Sequence, residues 1–361
     1  MKYLFIFGRN PKLSIAEIKG FLKRTNNSVL DETIHRNGFL LDLESPLDAG
    51  TVDFLGGTIS IGIVLCELKD VEKKEIYLGE SNKFNYVLWN FSEKTEEISD
   101  YLKKRFRKEK LKAIEKKFTG RMSLQKGGKT EIVSSNLIDE EYFVYEDYFG
   151  KIIQKTDSKK NEERDMKKPV RREKLSISPR LARILINLSE IKENEKLIDP
   201  FCGIGSILIE AINMGIKVIG IDKDGEAIRG AKENFDFFKF PKEGYSLINN
   251  NSSKVKIGSV DVLVSEPDFG EVLKKTPNPR EAKFMLGNFE NLMISVLKNM
   301  KKSVKGKFVF TSPLIRIGKN RMGCNFGKIS ERTGLKIFPN FPIEEFREGQ
   351  IVGREIVIME K

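Results

Sequence analysis

Two short stretches concentrate the residues able to do chemistry: DPFCGIGS, residues 199–206, and SEPDFG, residues 265–270. The first follows a strand-like apolar pair (Leu197, Ile198) and opens a helix-like run, Ile207 to Met214. Asp199 at a strand end, Pro200 in the turn, and Gly203 and Gly205 before the helix form a nucleotide-binding corner. The two glycines let backbone approach a ligand that a Cβ would push away. The next strand-like run, Val218 to Ile221, ends in Asp222, a carboxylate placed to accept both hydroxyls of a ribose. SEPDFG closes a third buried strand, Val260 to Val264. Ligands of open α/β sheets sit outside the carboxyl ends of strands, so both stretches are expected to face one crevice.

The corner departs from a dinucleotide site. The third glycine of that fingerprint, three residues after the second, is replaced by Leu208. A ligand without a pyrophosphate fits better, and S-adenosylmethionine is the expected cofactor. Asp199 then faces the cationic end of its amino-acid tail, with Pro200, Gly203, Gly205, Asp222 and Ser265 completing the cofactor site. Glu266, Pro267, Asp268 and Phe269 suit methylation of an exocyclic amine on a base. A carboxylate and a backbone carbonyl orient the planar, weakly nucleophilic nitrogen and stabilise the positive charge that develops on it. An aromatic ring stacks on the base. The structural alternatives are an ordinary strand-to-helix turn and a solvated loop at a strand end.

The two stretches resemble the motifs of amino-group methyltransferases, whose fourth motif usually reads Asp/Asn-Pro-Pro-Tyr/Phe. Residues 2–22 (KYLFIFGRNPKLSIAEIKGFL), 163–190 (ERDMKKPVRREKLSISPRLARILINLSE) and 352–361 (VGREIVIMEK) extend the likeness. Together they resemble the tRNA guanine methyltransferases that carry an N-terminal THUMP module and modify the exocyclic amine of guanine at position 10. The resemblance implies tRNA as the macromolecular partner and a cytoplasmic location. Eukaryotic relatives use a small activating partner subunit, of which this sequence carries no sign. Aligned on the family pattern, Glu266 replaces Asp/Asn and Asp268 replaces the second proline. A reacting group misplaced by an ångström costs about a hundredfold in rate. Either Asp268 serves as an extra acceptor in a shifted geometry, or the site binds without turnover. The active enzyme is the expectation. A non-catalytic RNA-binding protein and a DNA amino-methyltransferase are the alternatives.

Composition bounds these readings. A chain of 361 residues, 39% hydrophobic, supports two or three domains with real cores. Lys2 is followed by five apolar residues before Gly8, too few for a secretory signal. Three cysteines lie far apart, without a C-x-x-C, beside a single histidine, His35. That pattern suits neither a disulfide scaffold nor an ordinary zinc site, and no metal is expected. Cys202 reads as a small filler of the turn. The formal net charge of +12 fits a polyanionic partner.

Along the chain, the expected architecture is α/β: a Rossmann-like class I methyltransferase domain with a mixed, mostly parallel sheet, preceded by an α+β ferredoxin-like plus THUMP region. Residues 1–67 read as the ferredoxin-like domain, in the order β-α-β-β-α-β. Its signals are a capping box at Ser14 and Glu17, a hairpin turn at Asn37-Gly38 and a short helix from Pro46 to Leu55. Residues 68–157 read as the THUMP-like RNA-binding domain. Its stretch from Glu93 to Lys117 is expected to be a basic helix or helix pair, either a solvated face or a phosphate-binding surface. Residues 158–174 form a basic linker and 175–361 the methyltransferase domain, ending in a β-hairpin from Gly334. The expected RNA contacts are Lys116, Lys117, Arg171, Arg172 and Arg180. Asn250, Asn251 and Ser252 are candidates for the adenine, with no choice among them.

Overall fold

The computed structural model describes residues 1–118, 120–123, 129–132, 137–157, 166–172, 177–270 and 273–361. Most of the expected linker lies outside them. The chain divides into two compact units, one of residues 1–15, 26–53 and 57–156, the other of residues 16–25, 54–56 and 157–361.

The chain begins β1 (Lys2–Phe7), α1 (Pro11–Arg24), β2 (Val29–His35), β3 (Gly38–Leu43), a single 3-10 turn Thr51–Phe54 and β4 (Thr58–Glu67), of which residues 16–24 and 54 belong to the second unit and the rest to the first. These strands are antiparallel in the order β2-β3-β1-β4, the arrangement of a ferredoxin-like half. The hairpin turn falls one residue earlier than expected, on Arg36 (φ 53°) and Asn37, because Gly38 belongs to the sheet and pairs with His35. A Cβ on Gly38 would lie 3.0 Å from both Leu4 and Tyr145, so this glycine serves close packing rather than the turn. The helix expected at 46–55 shrinks to one turn, since Gly50 takes φ 83° immediately before it.

The same sheet continues through β5 (Lys83–Phe91), α2 (Thr95–Lys108), β6 (Lys112–Glu115), β9 (Glu140–Tyr145) and β10 (Tyr148–Lys155), in the order β4-β10-β9-β5-β6. The short strands β7 (Gly120–Ser123) and β8 (Lys129–Ile132) pair separately. Residues on both sides of the expected boundary at 67/68 therefore share one eight-stranded sheet. The basic segment is not a continuous helix. Lys110 adopts φ 60°, the helix stops, and Lys112–Glu115 pairs in parallel with β5. Leu111 and Ala113 turn inward against the Phe84–Phe106 core, which a helix would not allow.

The second unit holds α3 (Pro179–Leu188), β11 (Lys196–Asp199), α4 (Ser206–Asn213), β12 (Lys217–Asp222), α5 (Gly225–Phe237) and β13 (Tyr245–Asn249). It continues with β14 (Val262–Ser265), α6 (Pro279–Met300), β15 (Phe308–Ile317), β16 (Asn320–Met322), α7 (Phe326–Thr333), β17 (Lys336–Ile337), β18 (Ile343–Glu345) and β19 (Val352–Glu360). Strands β13-β12-β11-β14-β15 run parallel in the doubly wound order, and β19 lies antiparallel between β15 and β17. As expected of the C-terminal stretch, β19 forms a hairpin with β18 and also pairs antiparallel with β17. Its apolar side chains Val357 and Met359 join Ile198, Leu263, Phe308, Met293 and Leu297 in the main core.

Helix α6 starts at a full capping box, with Asn278 accepting from the Arg280 and Glu281 amides and Pro279 in the first turn. The capping box expected at Ser14 and Glu17 does not form. Helix α1 starts earlier, and Glu17 instead accepts the Gly56 N–H (2.6 Å) and the Asn187 amide (3.0 Å). Among the described residues no helix is long and apolar enough to cross a membrane.

Candidate active site

The glycine-rich corner forms as its residues dictate. β11 ends at Asp199, the chain turns through Pro200–Gly205, and α4 begins at Ser206. Gly203 (φ 52°) and Gly205 (φ 86°) both occupy the left-handed region. A Cβ on Gly205 would come within 2.7 Å of Phe235, whereas one on Gly203 would meet nothing within 4 Å. Gly205 therefore seats α4 on α5, and Gly203 leaves open space. Asp222 is gripped by backbone, taking the Gly203 N–H (2.9 Å) and the Asp224 N–H (2.9 Å) on separate oxygens. A carboxylate has about four lone-pair sites, so acceptor capacity remains for a ribose.

A cavity of about 790 Å³ lies over the carboxyl ends of these strands. Asp199, Pro200, Gly203, Asp222, Glu266, Pro267, Asp268 and Phe269 line it, so the two motifs do share one crevice. Gly205 and Ser265 stand behind its wall. Of the three adenine candidates, Asn251 and Ser252 line the cavity. Ser252 donates its hydroxyl to the Pro200 carbonyl, which ties β13's loop to the corner. Leu273, Met285, Val296, Ile315 and Ile351 make the other wall apolar.

The acids differ in environment. Asp199 is buried and accepts the Ser265 hydroxyl (2.5 Å) and the Phe201 N–H (3.0 Å). Burial pushes its carboxyl up to about 7 against those two donors. Glu266 is also raised by burial, opposed by the Arg354 guanidinium, whose Nε contacts Oε1. Its Oε2 is buried and has no hydrogen-bond partner among the described residues. Asp268 is exposed and accepts the Gly270 N–H (2.9 Å), Gly270 itself having φ 93°. It rebuilds with a side chain the turn that a proline would have stiffened. Phe269 is half-buried, edge-on to Phe289 at 5.8 Å. Cys202 is a buried thiol whose pKa burial raises further.

The expected RNA contacts separate. Lys116 and Lys117 are exposed in the first unit, just after β6. Arg171 is exposed, but Arg172 lines the cavity and pairs with Asp224 at 2.8 Å. Arg180 is half-buried and donates Nε to the Gly56 carbonyl (2.8 Å), a structural engagement. Residues 168–172, expected in the linker, dock on the core. The Asn234 side chain takes the Val170 N–H (3.0 Å) and donates to the Val170 and Ile204 carbonyls. Arg354 was not anticipated. It lies 88 residues from Glu266, on a different strand, and nothing local marks it.

Comparison with known proteins agrees with this geometry. The family described as RMKL-like, methyltransferase domain, matches residues 169–304. A second family, described as DNA methylase, matches residues 59–233, a stretch that ends before SEPDFG. The tRNA (guanine(10)-N2)-dimethyltransferase of Methanothermobacter thermautotrophicus is 38% identical over 96 residues, 26% of this chain and 28% of that protein. That of Pyrococcus abyssi is 24% identical over 284 residues, 75% of this chain and 78% of that protein. The crystal structure of TrmN from Thermus thermophilus superposes with a TM-score of 0.50 over 100% of both chains at 11% identity. The chain spans less than two thirds of the length of several curated relatives it matches. The second unit has a Rossmann-like methyltransferase fold, residues 169–304 match the RMKL-like methyltransferase domain, and the chain is similar to proteins named tRNA (guanine(10)-N2)-dimethyltransferase.

Proposed function

We propose that this protein transfers a methyl group from S-adenosylmethionine to the exocyclic amine of a guanosine in tRNA. One observation carries the reading: a buried carboxylate oxygen, Glu266 Oε2, without a partner among the described residues, on the wall of the cavity that also contains the glycine corner. The residues fit the cofactor. Gly203 leaves room for its backbone-hugging portion, Asp222 has acceptor capacity for a ribose, and the Asp199 carboxyl suits a cationic amino group. When bound, the cofactor supplies an electrophilic methyl on a sulfonium, and the C–S bond electrons leave with sulfur. Glu266 Oε2 accepts an N–H of the amine and stabilises the positive charge that grows as the nitrogen lone pair attacks. The extra proton of the alkylated amine passes to solvent. Phe269 stacks on the base, which has to leave its own stack to reach it.

The tRNA itself is matched by chemistry of the first unit. Lys104, Arg107, Lys108, Lys110, Lys112, Lys116 and Lys117 are basic residues of the α2–β6 region, and all are exposed. Lys103 and Arg105 have other work, pairing with Glu115 (3.2 Å) and with Glu109. Substituting Glu266 by Ala tests the catalytic assignment. Turnover on unmodified tRNA is expected to fall by about a hundredfold or more, as for a lost oxyanion-type donor or its acceptor counterpart. Cofactor affinity is expected to stay unchanged. Unchanged turnover removes Glu266 from the mechanism and favours a protein that binds RNA without methylating it.

A further inference from the structure

Resting on the methyl-transfer reading above, we propose that Arg354 is a positioning residue: it grips one oxygen of Glu266 so that the other is presented, as an ionised acceptor, to the substrate amine. Arg354 sits on β19 in register with Pro313 of β15, and both line the cavity. Its Nε contacts Oε1, while Oε2 is left buried and, among the described residues, unpaired. The guanidinium also lies over the Phe269 ring, 5.9 Å from its centroid. One side chain therefore touches both the acceptor and the stacking ring. The longer Glu, where the resembling family has Asp or Asn, gains its reason here. The added methylene carries Oε1 toward β19, which lies beyond β15 in the sheet, where it meets Arg354.

The charge argument points the same way. Among the described residues, the charged groups around Glu266 are Arg354 from β19, Asp199 from the end of β11, and Asp268, exposed, in its own loop. Burial favours the neutral acid, and Arg354 is the cation that opposes it. A protonated carboxyl would offer a donor where the amine needs an acceptor.

The test compares wild type with Arg354→Met, Arg354→Gln and Arg354→Lys. The Glu266 carboxyl is followed by carbon-13 NMR titration, assigned by its loss in Glu266→Gln, alongside the pH profile of turnover on unmodified tRNA. An opposite charge in contact changes the proton affinity of a carboxyl by about ten- to a thousandfold. In the Met and Gln variants the carboxyl should therefore titrate higher by that factor. Turnover at neutral pH should drop and recover as pH rises, and Lys should rescue most of it. Cofactor affinity should not move. A Glu266 titration identical in wild type and both neutral variants overturns the proposal, as does a loss of turnover that is the same at every pH. Absent wild-type turnover would count against the methyl-transfer reading, while the titration still decides the pairing.

Discussion

Asp199 makes the affinity for the cofactor depend on pH in a way that can be calculated. Burial raises its carboxyl to about 7, above the ordinary carboxylate value, despite the Ser265 and Phe201 donors. The sign follows from linkage. Between about pH 4 and pH 7 the folded apo-protein holds a proton that the unfolded chain has released, so this group lowers stability as pH rises through that window. Binding a cationic tail needs the anion, so affinity moves the opposite way. With a titration at about 7, Asp199 is half ionised at pH 7 and about 1% ionised at pH 5, so affinity should rise by about 50-fold, or about 2.3 kcal/mol. Isothermal titration with the demethylated product, S-adenosylhomocysteine, measures this without turnover. Buffers of different ionisation enthalpy should reveal release of a proton on binding below pH 7. Asp199→Asn keeps the shape, and its weaker binding should be flat with pH. A wild-type affinity equal at pH 5 and pH 7, or proton uptake on binding, would refute the reasoning.

Two further outcomes follow from the corner and the basic surface. Gly203→Ala and Gly205→Ala each place a Cβ at positive φ, costing about 1–2 kcal/mol. Only the second also collides with Phe235, adding about 1–3 kcal/mol of overpacking. Thermal melts should rank Gly205→Ala as the less stable, while Gly203→Ala should fold and fail to bind cofactor; the reverse ranking would contradict the division of labour between the two glycines. Charge reversal at Lys116 and Lys117 should weaken tRNA binding and lower its salt slope by about 0.7–0.9 for each phosphate no longer neutralised. A slope identical to wild type would move the RNA surface elsewhere.

What was legible in the sequence is what contiguous residues encode. Asp199–Ser206 carries its own strand end, turn and helix start, and Asp222 follows at the next strand, so the corner could be read in a line. SEPDFG likewise announces a strand end. Features set by distant packing were illegible. Arg354 meets Glu266 only because β19 inserts antiparallel beside β15, an event no local periodicity encodes. Strand β13 is half-exposed and polar, so it lacks an apolar run to betray it. The basic segment misread as helix through Lys117 breaks at Lys110, where a positive φ is imposed by the parallel pairing that follows rather than by a glycine. Arg172 looked like a linker cation, and becomes a cavity residue through Val170 docking on Asn234. Asn37-Gly38 reads as a turn because glycine and asparagine commonly share one, whereas the missing Cβ of Gly38 is needed by Leu4 and Tyr145.

The most direct test of the central claim is methyl transfer from labelled S-adenosylmethionine to unmodified bulk tRNA, with the modified nucleosides identified by mass spectrometry. The account predicts methylated guanosine carrying the label on its exocyclic amine. Bound cofactor with no incorporation, or label on adenosine or on duplex DNA in preference to tRNA, would contradict it.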